Sequence, residues 1–174
     1  MTRPNQTADH RAEVAKGQKP FAIVFGCVDS RVPPEIVFDR GLGDLLVIRT
    51  AGHALDNASL NSVEFGVHEL GIPLVMVLGH GKCGAVAATI EAVKKGAKPH
   101  GHIGALVAAI KPAVEKVNGR LGDLLDNAIR ANVELTVNKL QRSKLLAEFL
   151  AKGKAKVVGA RYDLGTGAVE ITVS

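Results

Sequence analysis

The 174-residue chain contains no tryptophan, one tyrosine and only two cysteines. Two cysteines are too few for the disulfide framework that stabilises many small secreted proteins. Its apolar runs fall short of the roughly 20 residues that a membrane-spanning helix needs. The N-terminus also lacks the basic segment and apolar core of a signal peptide. These absences predict a cytoplasmic protein with no membrane association.

The positive charge of the chain is dispersed. The net charge is +5, yet lysines and arginines form no long basic run, and aromatic residues make up only 3% of the chain. Proteins that bind single-stranded nucleic acids combine a basic groove with aromatic side chains on which bases stack. We therefore expect no nucleic-acid partner.

Short apolar runs bounded by glycine or proline alternate along the chain with longer helical segments. Strands are predicted at residues 21–26, 44–50, 73–79, 156–161 and 168–173. Helices are predicted at residues 7–16, 33–38, 58–70 and 83–95, then up to about 111 and from 123 to 150. This alternation predicts an α/β fold, with a mostly parallel central sheet flanked by helices and an antiparallel C-terminal edge strand. Residues 1–20 would form a short helical arm, and residues 21–174 a single domain.

Both cysteines follow predicted buried strands. Cys27 comes directly after the first strand, while His80 and Cys83 follow the third. Because ligands gather at the carboxyl ends of parallel strands, we expect these three side chains to meet. Thiolate and imidazole are typical zinc ligands, and three protein ligands leave the fourth position open, as in catalytic zinc sites. The sequence therefore predicts a catalytic zinc centre that makes residues 21–174 a zinc-binding domain.

Asp29 and Arg31 accompany the first cysteine at spacings of two residues, which place them on one side of an extended chain. Two thiolates cancel the charge of zinc and make it a weaker Lewis acid. A water at the fourth position therefore needs an additional hydrogen-bonding group to lose its proton. Asp29 can accept a hydrogen bond from that water, and Arg31 can keep Asp29 ionised through a bidentate pair. In a competing geometry, Asp29 leaves Arg31 and closes the site as a fourth ligand. The sequence leaves both geometries open.

The remaining histidines give weaker signals. His53 follows the second strand and fits a pocket residue and a loop residue equally well. His68 lies on a predicted helix, where it would be solvated or packed. His100 and His102 belong to a polar loop and could bind metal only opportunistically.

At these residues the chain resembles the β-class carbonic anhydrases of bacteria. The resemblance covers roughly residues 20–174 and rests on four motifs: Cys27-x-Asp29-Ser30-Arg31-Val32-Pro33, Arg49-Thr50-Ala51-Gly52, Gly79-His80-x-x-Cys83-Gly84 and Val158-Gly159-Ala160-Arg161-Tyr162-Asp163. It implies that Cys27, His80 and Cys83 bind zinc and that Asp29 and Arg31 form a catalytic dyad. The implied reaction is the reversible hydration of carbon dioxide to bicarbonate and a proton.

The resemblance also implies a substrate pocket and an oligomer. The pocket residues would be Leu46, Gly52, Phe65 and Gly84, with Phe65 standing where many relatives have a tyrosine that lines the neighbouring subunit's pocket. The partners expected are the small molecules carbon dioxide and bicarbonate, together with a second copy in a homodimer. Two dimers could pair into a tetramer.

Three other functions compete with this hypothesis. Similar proteins hydrolyse carbonyl sulfide or carbon disulfide at a comparable zinc site. A protein of another class would carry a closed, non-catalytic zinc site or a redox-active thiol pair, although the cysteines form no C-x-x-C pair. A nucleotide-binding module is also compatible with the fold class, but the chain has no G-x-x-x-x-G-K-[ST] run.

Overall fold

The computed structural model describes residues 4–96, 101 and 103–174. The strands are β1 (Ala22–Cys27), β2 (Leu45–Thr50), β3 (Leu74–His80), β4 (Lys156–Tyr162) and β5 (Val169–Val173). The helices are α1 (Ala8–Val14), α2 (Pro34–Val37), α3 (Asn57–His68), α4 (Gly84–Lys95), α5 (Ile103–Lys116), α6 (Leu124–Gln141) and α7 (Lys144–Ala151).

The five strands form one sheet in the order β2-β1-β3-β4-β5. The first four strands are parallel, and β5 pairs with β4 in the antiparallel direction. Strand β1 is buried along its whole length because it lies inside the sheet with helices on its faces. The predicted α/β class, with its antiparallel C-terminal edge strand, is confirmed.

Alternate residues of β1 enter different parts of the core. Ile23 and Phe25 pack with apolar residues of α3, α6 and α7, whereas Val24 packs on the opposite face with Leu78 and Ala160. A further apolar cluster lies between α4, α5 and α6 and includes both cysteines. The carboxyl ends of β1 and β3 therefore lie against an apolar surface that these three helices form.

The helical segment predicted at residues 123–150 is interrupted. Helix α6 ends at Gln141 and α7 begins at Lys144. The Ser143 hydroxyl between them accepts a hydrogen bond from the backbone N–H of Leu146 and donates one to Glu64. This cap starts a new helix, which explains the break.

The N-terminal residues lie against the loop that precedes β2. The Asn5 side chain donates to Asp44 at 2.9 Å, and His10 Nε2 lies 3.0 Å from the carbonyl oxygen of Leu42. No residue of α1 is buried. Within the described ranges, no helix is both long enough and apolar enough to cross a membrane.

Candidate metal centre

Three potential ligand side chains meet at the carboxyl end of the sheet. Cys27 ends β1, His80 ends the neighbouring parallel strand β3, and Cys83 is the N-cap residue of α4. One donor atom from each lies within 4.8 Å of the other two. All three residues are buried, with at most 5% of their surface exposed. The structure thus brings together the three residues that the strand pattern predicted would meet.

The hydrogen bonding of His80 suits a metal ligand. Its Nδ1 lies 2.9 Å from the carbonyl oxygen of Gly81, which can only accept a hydrogen bond, so Nδ1 carries the proton. In the neutral imidazole Nε2 therefore carries a free lone pair, and this atom is buried and has no hydrogen-bond partner. An unpaired buried nitrogen is costly unless another group uses its lone pair. Two thiols complete a donor set that matches zinc.

The two thiols influence each other's ionisation. The hydrogen bond between them lowers the pKa of Cys27 and raises the pKa of Cys83, so the pair shares one negative charge. A dication between the sulfurs would favour both thiolates. Cys83 also sits at the N-terminus of the 12-residue helix α4, where the helix dipole favours a negative charge.

Asp29 is held by Arg31 beside this cluster. Arg31 donates from Nε to Oδ1 at 2.9 Å and from Nη2 to Oδ2 at 2.7 Å, and its backbone N–H donates to Oδ1 at 3.0 Å. These bonds hold the pKa of Asp29 well below its ordinary value. Asp29 Oδ2 lies 3.8 Å from His80 Nε2. An ionised carboxylate therefore faces the metal-binding atoms while both of its oxygens are bonded to Arg31.

Arg49, on β2, binds the backbone that carries both Cys27 and Asp29. Its Nε donates to the carbonyl oxygen of Cys27 at 2.8 Å, and its Nη2 donates to that of Asp29 at 2.6 Å. The guanidinium thus fixes the chain between Cys27 and Asp29. Sequence reasoning noted Arg49 within a motif but did not assign it this contact, because a hydrogen bond to a backbone carbonyl leaves no pattern in the partner's sequence.

A 3-10 turn after β2, Ala51–His53, also contacts the cluster. The Gly52 N–H donates to Cys27 Sγ at 3.2 Å. Asn132, on α6, donates to the Gly52 carbonyl oxygen at 2.9 Å, and its Nδ2 lies 2.8 Å from His53 Nε2. His53 is 1% exposed, and burial lowers its pKa to about 4. His53 is therefore a neutral buried residue, and sequence reasoning missed Asn132.

The four residues predicted to line the substrate pocket lie in two places. Gly52 touches Cys27, and Gly84 opens helix α4 next to Cys83. Leu46 and Phe65 instead line a cavity of about 520 Å³ between β2 and α3, together with Val47, Ile48, Asn61 and Ser62. None of the three potential ligands is among these lining residues. Within one chain, two of the four predicted pocket residues, Gly52 and Gly84, therefore lie beside the metal-binding cluster.

The segment from Gly79 to Gly84 also carries the G-x-G-x-x-G spacing of dinucleotide-binding turns, a match that the sequence reasoning overlooked. A Cβ atom at Gly79 would lie 2.5 Å from Val133, and one at Gly81 would lie 3.1 Å from Arg161. These glycines thus admit neighbouring side chains, and the segment supplies two of the three buried potential ligands. The spacing does not mark a pyrophosphate site here.

Of the remaining histidines, His68 lies away from this cluster. His68 is half-exposed, contacts Glu69 at 2.7 Å and packs edge-on against Phe149. The expectation for His100 and His102 falls outside the described residues.

Comparisons with known proteins agree with this geometry. A family model described as carbonic anhydrase matches residues 22–169. Carbonic anhydrase 2 of Mycobacterium tuberculosis is 46% identical over 94% of this chain and 80% of its own length. The carbonic anhydrase of Mycolicibacterium smegmatis is 45% identical over 97% of this chain and 82% of its own.

A solved structure shares the fold. The Coccomyxa β-carbonic anhydrase in complex with acetazolamide superposes with a TM-score of 0.83 and is 28% identical, covering 92% of this chain and 75% of its own. The family model and the curated relatives each span most of the chain, and the buried donor set matches zinc. The chain therefore belongs to the β-carbonic anhydrases, the zinc-dependent lyases that reversibly hydrate carbon dioxide to bicarbonate and a proton.

Proposed function

We propose that Cys27, His80 and Cys83 hold the zinc of this carbonic anhydrase. The observation that carries the assignment is the convergence of their donor atoms within 4.8 Å, with His80 Nε2 buried and unpaired. Of the described residues, no other group of three or more His, Cys, Asp or Glu side chains has this arrangement. When bound, zinc supplies the Lewis acidity that activates a water molecule at neutral pH.

Asp29 and Arg31 form the catalytic dyad in this proposal. Asp29 accepts a hydrogen bond from the reacting water and so orients a water lone pair toward the carbon of carbon dioxide. Arg31 keeps Asp29 ionised and holds its plane fixed. The water loses one proton to solvent or buffer, and its oxygen forms the new carbon–oxygen bond of bicarbonate. The bidentate pair supports this open arrangement over the closed one, in which Asp29 would have to leave Arg31.

A homodimer completes the substrate pocket in this proposal. Strand β2 is an outer strand of the sheet, so one of its edges has no neighbouring strand among the described residues. Phe65, beside this edge, exposes 51% of its surface next to Leu46 and the 520 Å³ cavity. A second copy seated here would bury this apolar surface and bring Phe65 toward the partner's site. Residues 1–20 then act as an arm on the single domain formed by 21–174.

The dimer is tested by sedimentation of the whole protein. Phe65→Asp should give monomers, because it places a charge in the proposed interface. Ile171→Asp is the matched control, since Ile171 is 52% exposed on the opposite edge strand β5. A dimeric F65D protein would rule out this interface.

We also propose a cytoplasmic location. Both cysteines are free thiols in the structure, and the zinc assignment requires them reduced. Reduced cysteine pairs persist in the cytosol, whereas secreted proteins tend to form disulfides. Fractionation of the source cells with an antibody against the protein checks this location, and recovery outside the cytosol would contradict it.

Metal analysis combined with a carbon dioxide hydration assay tests the ligand assignment. Cys83→Ser should lose both zinc and activity, because serine is a poor zinc ligand at neutral pH. Thr89→Ser is the matched control: Thr89 is buried on the same helix, and its hydroxyl donates to the carbonyl oxygen of Ala85 within that helix. Stoichiometric zinc in C83S would refute the assignment.

A further inference from the structure

Asn132 occupies an unusual place for an amide side chain. It lies on α6, is 4% exposed, and reaches the turn that follows β2. Its single Nδ2 group serves two partners, the Gly52 carbonyl oxygen at 2.9 Å and His53 Nε2 at 2.8 Å. An amide NH₂ has two hydrogens, so both contacts can be donated at once. Because the Gly52 carbonyl oxygen can only accept a hydrogen bond, the Asn132 Nδ2 group must face it. Because Nδ2 also donates to His53 Nε2, the proton of neutral His53 lies on Nδ1.

The turn that Asn132 holds has a strained backbone. Gly52 has φ 57° and His53 has φ 43°, so two consecutive residues lie in the left-handed region. Such a conformation is costly for a residue with a Cβ atom and persists only where its surroundings enforce it. Because His53 and Asn132 are both buried, water cannot readily replace the bonds between them. Asn132 thus binds both left-handed residues.

The strained turn places the backbone N–H of Gly52 within hydrogen-bonding distance of the Cys27 sulfur. The Gly52 N–H points to Cys27 Sγ at 3.2 Å. A thiolate that accepts a hydrogen bond gives less of its charge to a metal, so the metal remains a stronger Lewis acid. This matters here because a ligand set with two thiolates already neutralises the dication.

We propose that Asn132 is a positioning residue, which holds the Gly52 N–H on Cys27 Sγ and thereby sets the charge that this thiolate donates to the metal. The inference rests on the proposed function, since it takes Cys27 as a ligand. Groups that orient metal ligands from outside the ligand set commonly change metal affinity or activity by about 10- to 100-fold when they are removed. Asn132 touches neither zinc nor substrate and acts only through the turn.

The test uses the whole protein loaded with cobalt(II) or zinc. Asn132→Leu keeps a similar volume but removes the donor. Thr136→Val is the matched control, because Thr136 lies one turn further along the same helix and is also 4% exposed. The measurements are the energy of the thiolate-to-cobalt charge-transfer band, the rate of zinc loss to a chelator, and the circular dichroism of each variant.

We expect N132L to move the charge-transfer band and to speed zinc loss by roughly 10-fold or more, with T136V close to wild type. An unmoved band and zinc loss within about twofold of T136V would overturn the proposal. If N132L does not fold, Asn132→Ala, which favours the helix and cannot overpack, replaces it under the same criteria. A wild-type charge-transfer band that Cys27→Ser leaves unchanged would instead refute Cys27 as a ligand, so failure of the proposed function is recognised separately.

Discussion

Asp29 is bonded to the Arg31 guanidinium through both of its carboxylate oxygens, at 2.9 Å and 2.7 Å. A bidentate pair fixes the plane of the carboxylate as well as its position. The backbone N–H of Arg31 adds a third bond to Oδ1. Asp29 is therefore an acceptor held in one orientation and kept ionised at neutral pH beside the three potential ligands, although its side chain keeps 16% of its surface exposed.

Asp29→Asn should retain zinc but reduce carbon dioxide hydration by roughly 100-fold or more, the scale on which a lost preorganised hydrogen-bonding group lowers a rate. The amide is neutral and can no longer be held by Arg31 through two accepting oxygens. Stopped-flow hydration with a pH indicator measures the rate, and metal analysis checks the zinc. Asp9→Asn, in the exposed helix α1, is the control. Near-normal turnover of D29N would exclude Asp29 from the chemistry.

Arg49→Lys should weaken the site although it preserves the charge. Lysine carries a single ammonium group and cannot reproduce the fork that binds the carbonyl oxygens of Cys27 and Asp29. We expect a loss of about 1.5 to 3 kcal/mol in the free energy of unfolding, the usual value of a hydrogen bond to a charged group. Urea unfolding measures it, with Arg142→Lys at the exposed end of α6 as the control. Equal stability of the two variants would contradict the role of Arg49.

Gly52→Ala should be more harmful than the same change at a comparable glycine. A Cβ atom at Gly52 would lie 2.8 Å from Ile110 Cδ1 and 3.0 Å from the Cβ of Ala85. Gly71 also has positive φ, at 65°, but a Cβ atom there meets nothing within 4 Å. Gly71→Ala therefore measures the backbone strain alone, about 1 kcal/mol or more, and G52A should exceed it in urea unfolding. Equal losses would show that the close approach at Gly52 is unimportant.

Acid should remove a contribution from Asp126 to stability. Burial raises the pKa of this carboxyl, but the hydrogen bond from Arg130 and the charge of Arg161 lower it by more, so the net shift is downward. A depressed pKa in the folded protein stabilises it above the unfolded value of about 3.9, and this contribution disappears as the pH falls through the folded value.

Urea unfolding across pH checks this prediction. Asp126→Asn should be less stable than wild type at neutral pH, and the difference should shrink below about pH 4. Glu91→Gln is the control, since Glu91 and Lys95 form an exposed pair 3.4 Å apart that should contribute little. A difference between D126N and wild type that is constant with pH would contradict the downward shift of the Asp126 pKa.

The sheet and the convergence of Cys27, His80 and Cys83 could be predicted from the sequence because both leave local patterns. Apolar runs marked the strands, and the position of Cys27 and His80 directly after two of them indicated a common edge. The break at Ser143 was missed because its cap depends on a serine within an otherwise continuous helical pattern. One capping residue is a weaker signal in a sequence than the regular apolar spacing that indicates a continuous helix.

The supporting contacts of the site could not be predicted in the same way. Asn132 bonds to Gly52 across 80 positions of the chain, and neither residue type indicates the other. A buried asparagine on an otherwise apolar helix face is a signal that some polar partner exists, but it does not identify the partner. The pocket residues Leu46 and Phe65 present a similar difficulty, because their proposed role requires a second copy of the chain.

The distance in sequence between Gly52 and Asn132 also bears on the order of folding. Contacts between residues far apart in the chain close long loops and tend to form late. If Asn132 holds the turn as proposed, the turn that faces Cys27 gains this bond only when α6 docks on the sheet, whereas the pairing of β1 with β3 spans a shorter stretch of chain. On that order of events, the hydrogen bond from the Gly52 N–H to Cys27 Sγ would be completed only after α6 has joined the sheet.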